Sequence, residues 1–208
     1  MTRAVLFDVD GVLINGYHFR PELRVKWDEH LERDMGVNPD RFRAEFIYEL
    51  FVKQVIVGRM SLLDGLDRVL PGLGYRGPSL AFARYWLEKD SNINQPLLDL
   101  VAKLKAVGTP LYIATNQEHL RAQWLWGNLG FRDHFEDIFY AARIGATKPH
   151  KPFFDWVSNR LGPQSEPPLF FDDTPEVVKA ARAHGWEAVE FTGLADAAEH
   201  PWIKARIS

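Results

Sequence analysis

Three short apolar runs, each breaking off into acidic or hydroxyl residues, constrain the fold of this chain more than any other feature. Ala4-Val5-Leu6-Phe7 runs into Asp8-Val9-Asp10-Gly11, Leu111-Tyr112-Ile113-Ala114 into Thr115-Asn116-Gln117, and Leu169-Phe170-Phe171 into Asp172-Asp173-Thr174. Apolar runs this short, closed by turn signals or opened by Gly108-Thr109-Pro110 and Pro167-Pro168, read as strands. Asp137-Ile138-Phe139-Tyr140 and Ala188-Val189-Glu190-Phe191 are two further strand candidates.

Helical patterns fill the spaces between them. Leu97, Leu100, Val101 and Leu104 fall at i, i+3, i+4 and i+7, and Gly108 supplies the stop. Pro175 to His184 reads as a helix with proline in its first turn and Gly185 at its end. Strands alternating with helices of this length predict an α/β fold with a Rossmann-like parallel sheet covered on both faces.

Residues 17–92 break the rhythm. Leu23 to Met35, Asp40 to Val57, Ser61 to Leu70 and Ser79 to Lys89 all read as helical, with glycine and proline in the gaps and no strand between. The expectation is an α/β core of residues 1–16 and 93–208 interrupted by a helical insertion. Trp27, Phe42, Phe46, Tyr48, Phe51 and Trp86 give that insertion enough aromatic bulk for a small core of its own.

Composition narrows the chemistry. With 25 basic and 28 acidic residues interspersed to a net charge of −3, nothing favours nucleic acid as a partner. There is no cysteine, which excludes disulfides, thiolate metal sites and cysteine nucleophiles. No apolar stretch reaches the length of a membrane span, and the four apolar residues before Asp8 are too few for a signal peptide. A cytoplasmic location without membrane association is therefore expected.

Ligands of parallel sheets bind beyond the carboxyl ends of the strands. That rule brings Asp8, Asp10, Thr115, Asn116, Asp172 and Asp173 to one crevice, with Gly145-Ala146-Thr147-Lys148-Pro149 arriving between the last two strands. Crowded carboxylates need a cation or shifted pKa values to coexist. Oxygen ligands without histidine or cysteine suit Mg²⁺. A lysine and a hydroxyl beside them suit a multiply charged oxyanion such as a phosphoryl group, and a carboxylate can itself be the nucleophile. Each piece has a plainer reading alone: Asp8 to Gly11 as a turn, Thr115-Asn116 and Asp172-Asp173 as helix caps, Lys148 as a solvated loop lysine. Lys151-Pro152 competes with Lys148-Pro149 for the lysine's place.

Taken in order, Asp8-x-Asp10-Gly11-Val12, Thr115-Asn116, Lys148-Pro149 and Asp172-Asp173 resemble the motifs of the haloacid dehalogenase (HAD) superfamily, and residues 17–92 lie where that family carries its helical cap. The resemblance implies that Asp8 attacks phosphorus and binds Mg²⁺. Asp10 would be general acid and base, with its backbone carbonyl on the metal. Thr115 and the amide of Asn116 would hold phosphoryl oxygens, Lys148 would neutralise Asp8 and the phosphate, and Asp172 and Asp173 would complete the metal site. Dehalogenases of this superfamily lack the second acid; its presence here implies cleavage of a small phosphomonoester, a sugar phosphate or similar metabolite. A phosphosugar mutase using the same intermediate is the alternative, hinted at by His18, and a non-catalytic binding protein is a third reading. Arg43, Lys53 and Arg59 are candidate substrate contacts or solvated charges, and Trp124-Leu125-Trp126 reads as packing. Oligomeric state is not legible.

Overall fold

The structure is a computed structural model, described here for residues 3–207. Five parallel strands, β1 (Val5–Phe7), β2 (Leu111–Thr115), β3 (Asp137–Tyr140), β4 (Leu169–Asp172) and β5 (Glu187–Glu190), form one sheet in the order β3-β2-β1-β4-β5. All five lie within a residue or two of the predicted runs. Alternation along each strand feeds two cores. Val5 pairs with Leu111 and Leu169, and Phe7 with Ile113 and Phe171, so these side chains share one face, where Phe7 stacks on Phe171 at 5.2 Å. Leu6, Ala114, Phe139, Phe170 and Ala188 point to the other. With both faces buried, the inner strands β1 and β4 carry no polar alternation, whereas the edge strands β3 and β5 keep polar residues at their ends.

Helices cover each face. On the first lie α5 (Gln95–Ala106), which presents Leu97, Val101 and Leu104, α10 (Leu194–Ala198), which presents Ala197, and α11 (Pro201–Ile207), which presents Ile203. On the second lie α7 (Ala141–Ile144) with Ile144, α8 (Lys151–Leu161) with Phe153, Phe154 and Val157, and α9 (Pro175–Ala183) with Val177, Val178 and Ala181. The predicted 97–107 and 175–184 helices are α5 and α9 with shifted ends. Trp124–Asn128 is a wide helical turn that continues α6 (His119–Gln123); Leu125 is buried in the core and Trp126 packs against it.

Between β1 and α5 the chain is helical without strands. It forms α1 (Leu31–Met35), α2 (Pro39–Phe42) running on as a wider helix through Arg43–Val55, α3 (Leu62–Val69) and α4 (Ser79–Lys89). Leu31, Phe42, Phe46, Leu66, Phe82 and Trp86 gather in a core separate from the two beside the sheet. One expectation fails here. Leu23 to Met35 is not one helix: a single turn at Pro21–Leu23 is followed by extended and turn residues before α1. Tertiary contacts override the local pattern, because Trp27 stacks on Trp86 at 4.9 Å and buried Asp28 pairs with Arg43. The segment joins the sheet domain through two linkers that pair with each other, Ile14 bridging Ile93 and the Asn15 amide donating to the Asn92 carbonyl at 2.7 Å. No helix among the described residues is long and apolar enough to cross a membrane.

Candidate active site

The strand order reverses direction at β1: the chain moves outward through β2 and β3, then returns to place β4 on the other side of β1. Such a switch point leaves a crevice beyond the carboxyl ends of the neighbouring strands. Asp8 stands there directly after β1, with its amide donating to the Phe171 carbonyl at 2.9 Å and so extending the ladder. Asp172 is the last residue of β4, and Asp173 follows it. Asp8, Asp172 and Asp173 each present a carboxylate oxygen within 4.8 Å of the others.

Gly11 explains how the third acid comes so close. Its φ is +77°, and a Cβ there would lie 2.6 Å from Asp173 Oδ2 and 3.1 Å from the Tyr17 carbonyl. Only glycine tolerates both that backbone conformation and that approach. Asp173 is held from several sides: the Phe19 amide donates to its Oδ2 at 2.5 Å, the Thr174 hydroxyl to its Oδ1 at 3.0 Å, and His18 Nδ1 stands 3.6 Å from Oδ2. The Thr174 amide donates to Asp172 Oδ1 at 2.9 Å.

Of the two competing lysines, Lys148 is the one in the crevice. Its Nζ lies 2.9 Å from Asp8 Oδ1 and donates to Asp172 Oδ2 at 2.6 Å and to the Ala114 carbonyl at 2.9 Å. Lys151 begins α8, is 76% exposed in its side chain, and pairs with Asp155 one turn on. Asn116 does something its sequence position did not reveal. Its side chain clamps the lysine loop, accepting from the Lys148 amide at 2.8 Å and donating to the Lys148 carbonyl at 3.0 Å. Thr115 ends β2 and is buried.

Three buried carboxylates outnumber the Lys148 ammonium set among them. Burial pushes the Asp8 carboxyl up to about 7; the Lys148 ammonium opposes that shift and neighbouring Asp172 adds to it. Asp172 and Asp173 are also raised, chiefly by burial. Lys148 moves up as well: burial alone would lower it, but Asp172 and Asp8 together outweigh that. The two directions agree once counted as charges, since a single ammonium is strongly favoured among three carboxylates and cannot satisfy them all. Three hard oxygen donors with an excess of negative charge fit a small divalent cation bound through carboxylates.

Asp10 is not part of that trio. Its carboxylate accepts from Gln117 Nε2 at 2.5 Å and from Arg121 Nη2 at 2.9 Å, and its side chain stays 28% exposed. Arg121 in turn lies 3.2 Å from Asp90, whose carboxyl burial pushes up to about 7 against the pull of Arg121. Gln117, Asp90 and Arg121 carried no motif signal. Their relevance comes from positions brought together only by the fold. Among the described residues no hydrogen bond or ion pair joins Arg43, Lys53 or Arg59 to the acids of this crevice; Arg43 pairs with Asp28 and Asp40, and Lys53 with Glu49.

Residues 2–185 match the model of one family, the haloacid dehalogenase-like hydrolases. The chain belongs to that family. It is 28% identical to the phosphoglycolate phosphatase of Chromobacterium violaceum over 201 residues, 94% of this chain and 87% of that one. It is 30% identical to the fructose-1-phosphate phosphatase of Escherichia coli over 111 residues, a match spanning half of this chain and 59% of that protein. In fold it resembles a HAD family enzyme of Bacteroides thetaiotaomicron, with a TM-score of 0.75 at 20% identity and 98% coverage of both chains. A structure of that enzyme in complex with magnesium and inorganic phosphate aligns at a TM-score of 0.73, 20% identity, 94% of this chain and 96% of that one.

Proposed function

We propose that this HAD-like hydrolase is a Mg²⁺-dependent phosphatase of small phosphomonoesters, with Asp8 as nucleophile and Asp10 as general acid and base. The observation that carries the reading is the meeting of Asp8, Asp172 and Asp173 within 4.8 Å beside the ammonium of Lys148, with Asp10 standing apart from the trio. Asp8, Asp172 and Asp173 would hold the ion, joined by the Asp10 backbone carbonyl. Bound there, Mg²⁺ would neutralise the carboxylates and withdraw charge from the transferring phosphoryl group.

The chain's own groups then act in two steps. In the first, an Asp8 oxygen attacks phosphorus, the bond from phosphorus to the leaving oxygen breaks, and that oxygen takes the proton of the Asp10 carboxyl. In the second, water attacks phosphorus and gives its proton to the Asp10 carboxylate, the bond to Asp8 breaks, and inorganic phosphate leaves. Lys148 holds Asp8 in place and offsets the incoming charge, while Thr115 and the Asn116 amide bind phosphoryl oxygens. Protonating a poor leaving group is what distinguishes ester cleavage from halide displacement, and an acid so placed contributes on the order of 10²–10⁴ in rate.

Residues 17–92 serve as a cap over this crevice in our reading, which favours compact metabolites over phosphoproteins. The two relatives act, by name, on fructose 1-phosphate and phosphoglycolate, and both are small. The test is phosphate release from a panel of sugar phosphates, phosphoglycolate and nucleotides, with Mg²⁺ or EDTA, beside Asp8→Asn. Release that needs Mg²⁺ and disappears in Asp8→Asn is expected. Activity retained by Asp8→Asn would overturn the proposal, and phosphorus NMR showing positional isomers without free phosphate would move it to a mutase.

A further inference from the structure

The two-step scheme assigns no work to Arg121, yet this guanidinium is built into the site with unusual care. It is 5% exposed, on α6 directly after the Thr115-Asn116 strand end, and it faces two carboxylates. Nη2 donates to Asp10 Oδ1 at 2.9 Å, and Nη1 stands 3.2 Å from Asp90 Oδ2. Buried Gln117 takes the other Asp10 oxygen. A donor on each oxygen fixes the rotation of the Asp10 carboxyl, and each oxygen keeps a second lone pair for the open side of the crevice.

Asp90 is itself anchored. It caps the end of α4, its amide donating to the Trp86 carbonyl at 2.9 Å. Its Oδ1 lies over Gly16, where a Cβ would come within 2.7 Å, so even an alanine there would crowd it. Gly16 and Asp90 flank the two paired linkers through which residues 17–92 leave and rejoin the sheet domain. The chain Asp10–Arg121–Asp90 therefore ties the proposed acid to the base of the helical segment. Buried ion pairs of this kind add little net stability over apolar packing of similar volume, so stability alone gives little reason for the arrangement.

We propose that Arg121, braced by Asp90, is the positioning residue for Asp10: it aims the carboxyl at the leaving oxygen and stabilises the carboxylate formed when that proton departs. This rests on Asp10 being the general acid.

The experiment compares kcat/KM for p-nitrophenyl phosphate, whose leaving group departs without a proton, with that for phenyl phosphate, whose leaving group needs one. For Arg121→Gln we expect a loss on the order of 100-fold with phenyl phosphate, the scale of a misaligned catalytic group, and a far smaller loss with the nitrophenyl ester. Arg121→Lys should recover part of the loss. In an Asp10→Asn background Arg121→Gln should add nothing further with phenyl phosphate, because the two act as one unit. Equal losses with both esters, or additive losses in the double variant, would make Arg121 merely structural and overturn the inference. Should Arg121→Gln fail to fold, Asp90→Asn, which keeps the side-chain shape, must show the same bias against phenyl phosphate in weaker form, and an unbiased loss or no loss overturns the inference equally. Asp10→Asn alone decides the underlying reading: if it does not discriminate between the esters, Asp10 is not the acid, whatever Arg121 does.

Discussion

Replacing Asp8, the proposed nucleophile, should stabilise the metal-free protein. In the absence of a cation the Asp8 carboxyl is held at about 7, against an ordinary value of 3.8, with burial the leading cause. A raised carboxyl contributes stability that is complete below its unfolded value and lost as pH rises through its folded value. Between pH 4 and pH 7 the metal-free fold should therefore lose stability at up to about 1.4 kcal/mol per pH unit, or about 4 kcal/mol in all for this one group. Asp8→Asn removes the charge and keeps the shape, while Lys148 retains Asp172 at 2.6 Å. The raised value already nets the attraction of Lys148 against burial and Asp172, so the gain at pH 8 in EDTA should approach the same figure, about 4 kcal/mol at most. Urea unfolding reads it. The gain should shrink as pH falls toward 4, and saturating Mg²⁺ should reverse the ranking because the variant has lost a charged ligand. A variant less stable than the parent in EDTA at pH 8, or a gain that grows as the solution is acidified, would refute the electrostatic account of the crevice.

Further outcomes follow from the same geometry. Mg²⁺ binding should release protons near pH 7, and affinity should weaken by up to about tenfold per pH unit below that, because Asp8 must be ionised to serve as a ligand; calorimetry in buffers of different ionisation enthalpy measures the released protons. Lys148→Ala should lower kcat on the order of 100-fold or more, whereas Lys151→Ala, whose exposed ammonium pairs with Asp155, should stay within about twofold. Gly11→Ala should cost about 1–2 kcal/mol from the left-handed backbone alone. It should also weaken Mg²⁺ binding, because the new methyl group displaces Asp173, and a metal titration of the folded variant tests that.

What the sequence disclosed and what it withheld divide along a physical line. The strands were legible because burial on both faces demands unbroken apolar runs, and Val5 to Phe7 or Leu169 to Phe171 can serve little else. Asp8, Lys148 and Asp172 were legible because each sits at a strand end or a glycine-proline turn whose residues are dictated locally. Asp90 and Arg121 were not, since their pairing depends on how α4 and α6 approach each other across the linkers. The break in the expected 23–35 helix has the same origin: Trp27 and Asp28 satisfy partners on Trp86 and Arg43, contacts that no local periodicity encodes. Asn116 lies between the two cases. Its position was visible, but the reciprocal clamp on the Lys148 backbone appears only when the two loops meet.

The separation of the acids explains how one crevice could supply both a nucleophile and a proton donor. Asp8, Asp172 and Asp173 together with Lys148 sum to two negative charges when fully ionised, the amount a divalent ion cancels. A carboxylate in that neutralised cluster can remain ionised at neutral pH and attack phosphorus. Asp10 belongs to a different set of neighbours, with Arg121 and Gln117 on its oxygens and Asp90 drawing off part of the guanidinium's charge. Two aspartates spaced two residues apart thus meet different partners because the chain leaves the strand direction at Val9, whose carbonyl accepts from the Val12 and Ile14 amides, so that one carboxyl faces Asp172, Asp173 and Lys148 and the other faces Arg121, the arrangement that the proposed division of tasks requires.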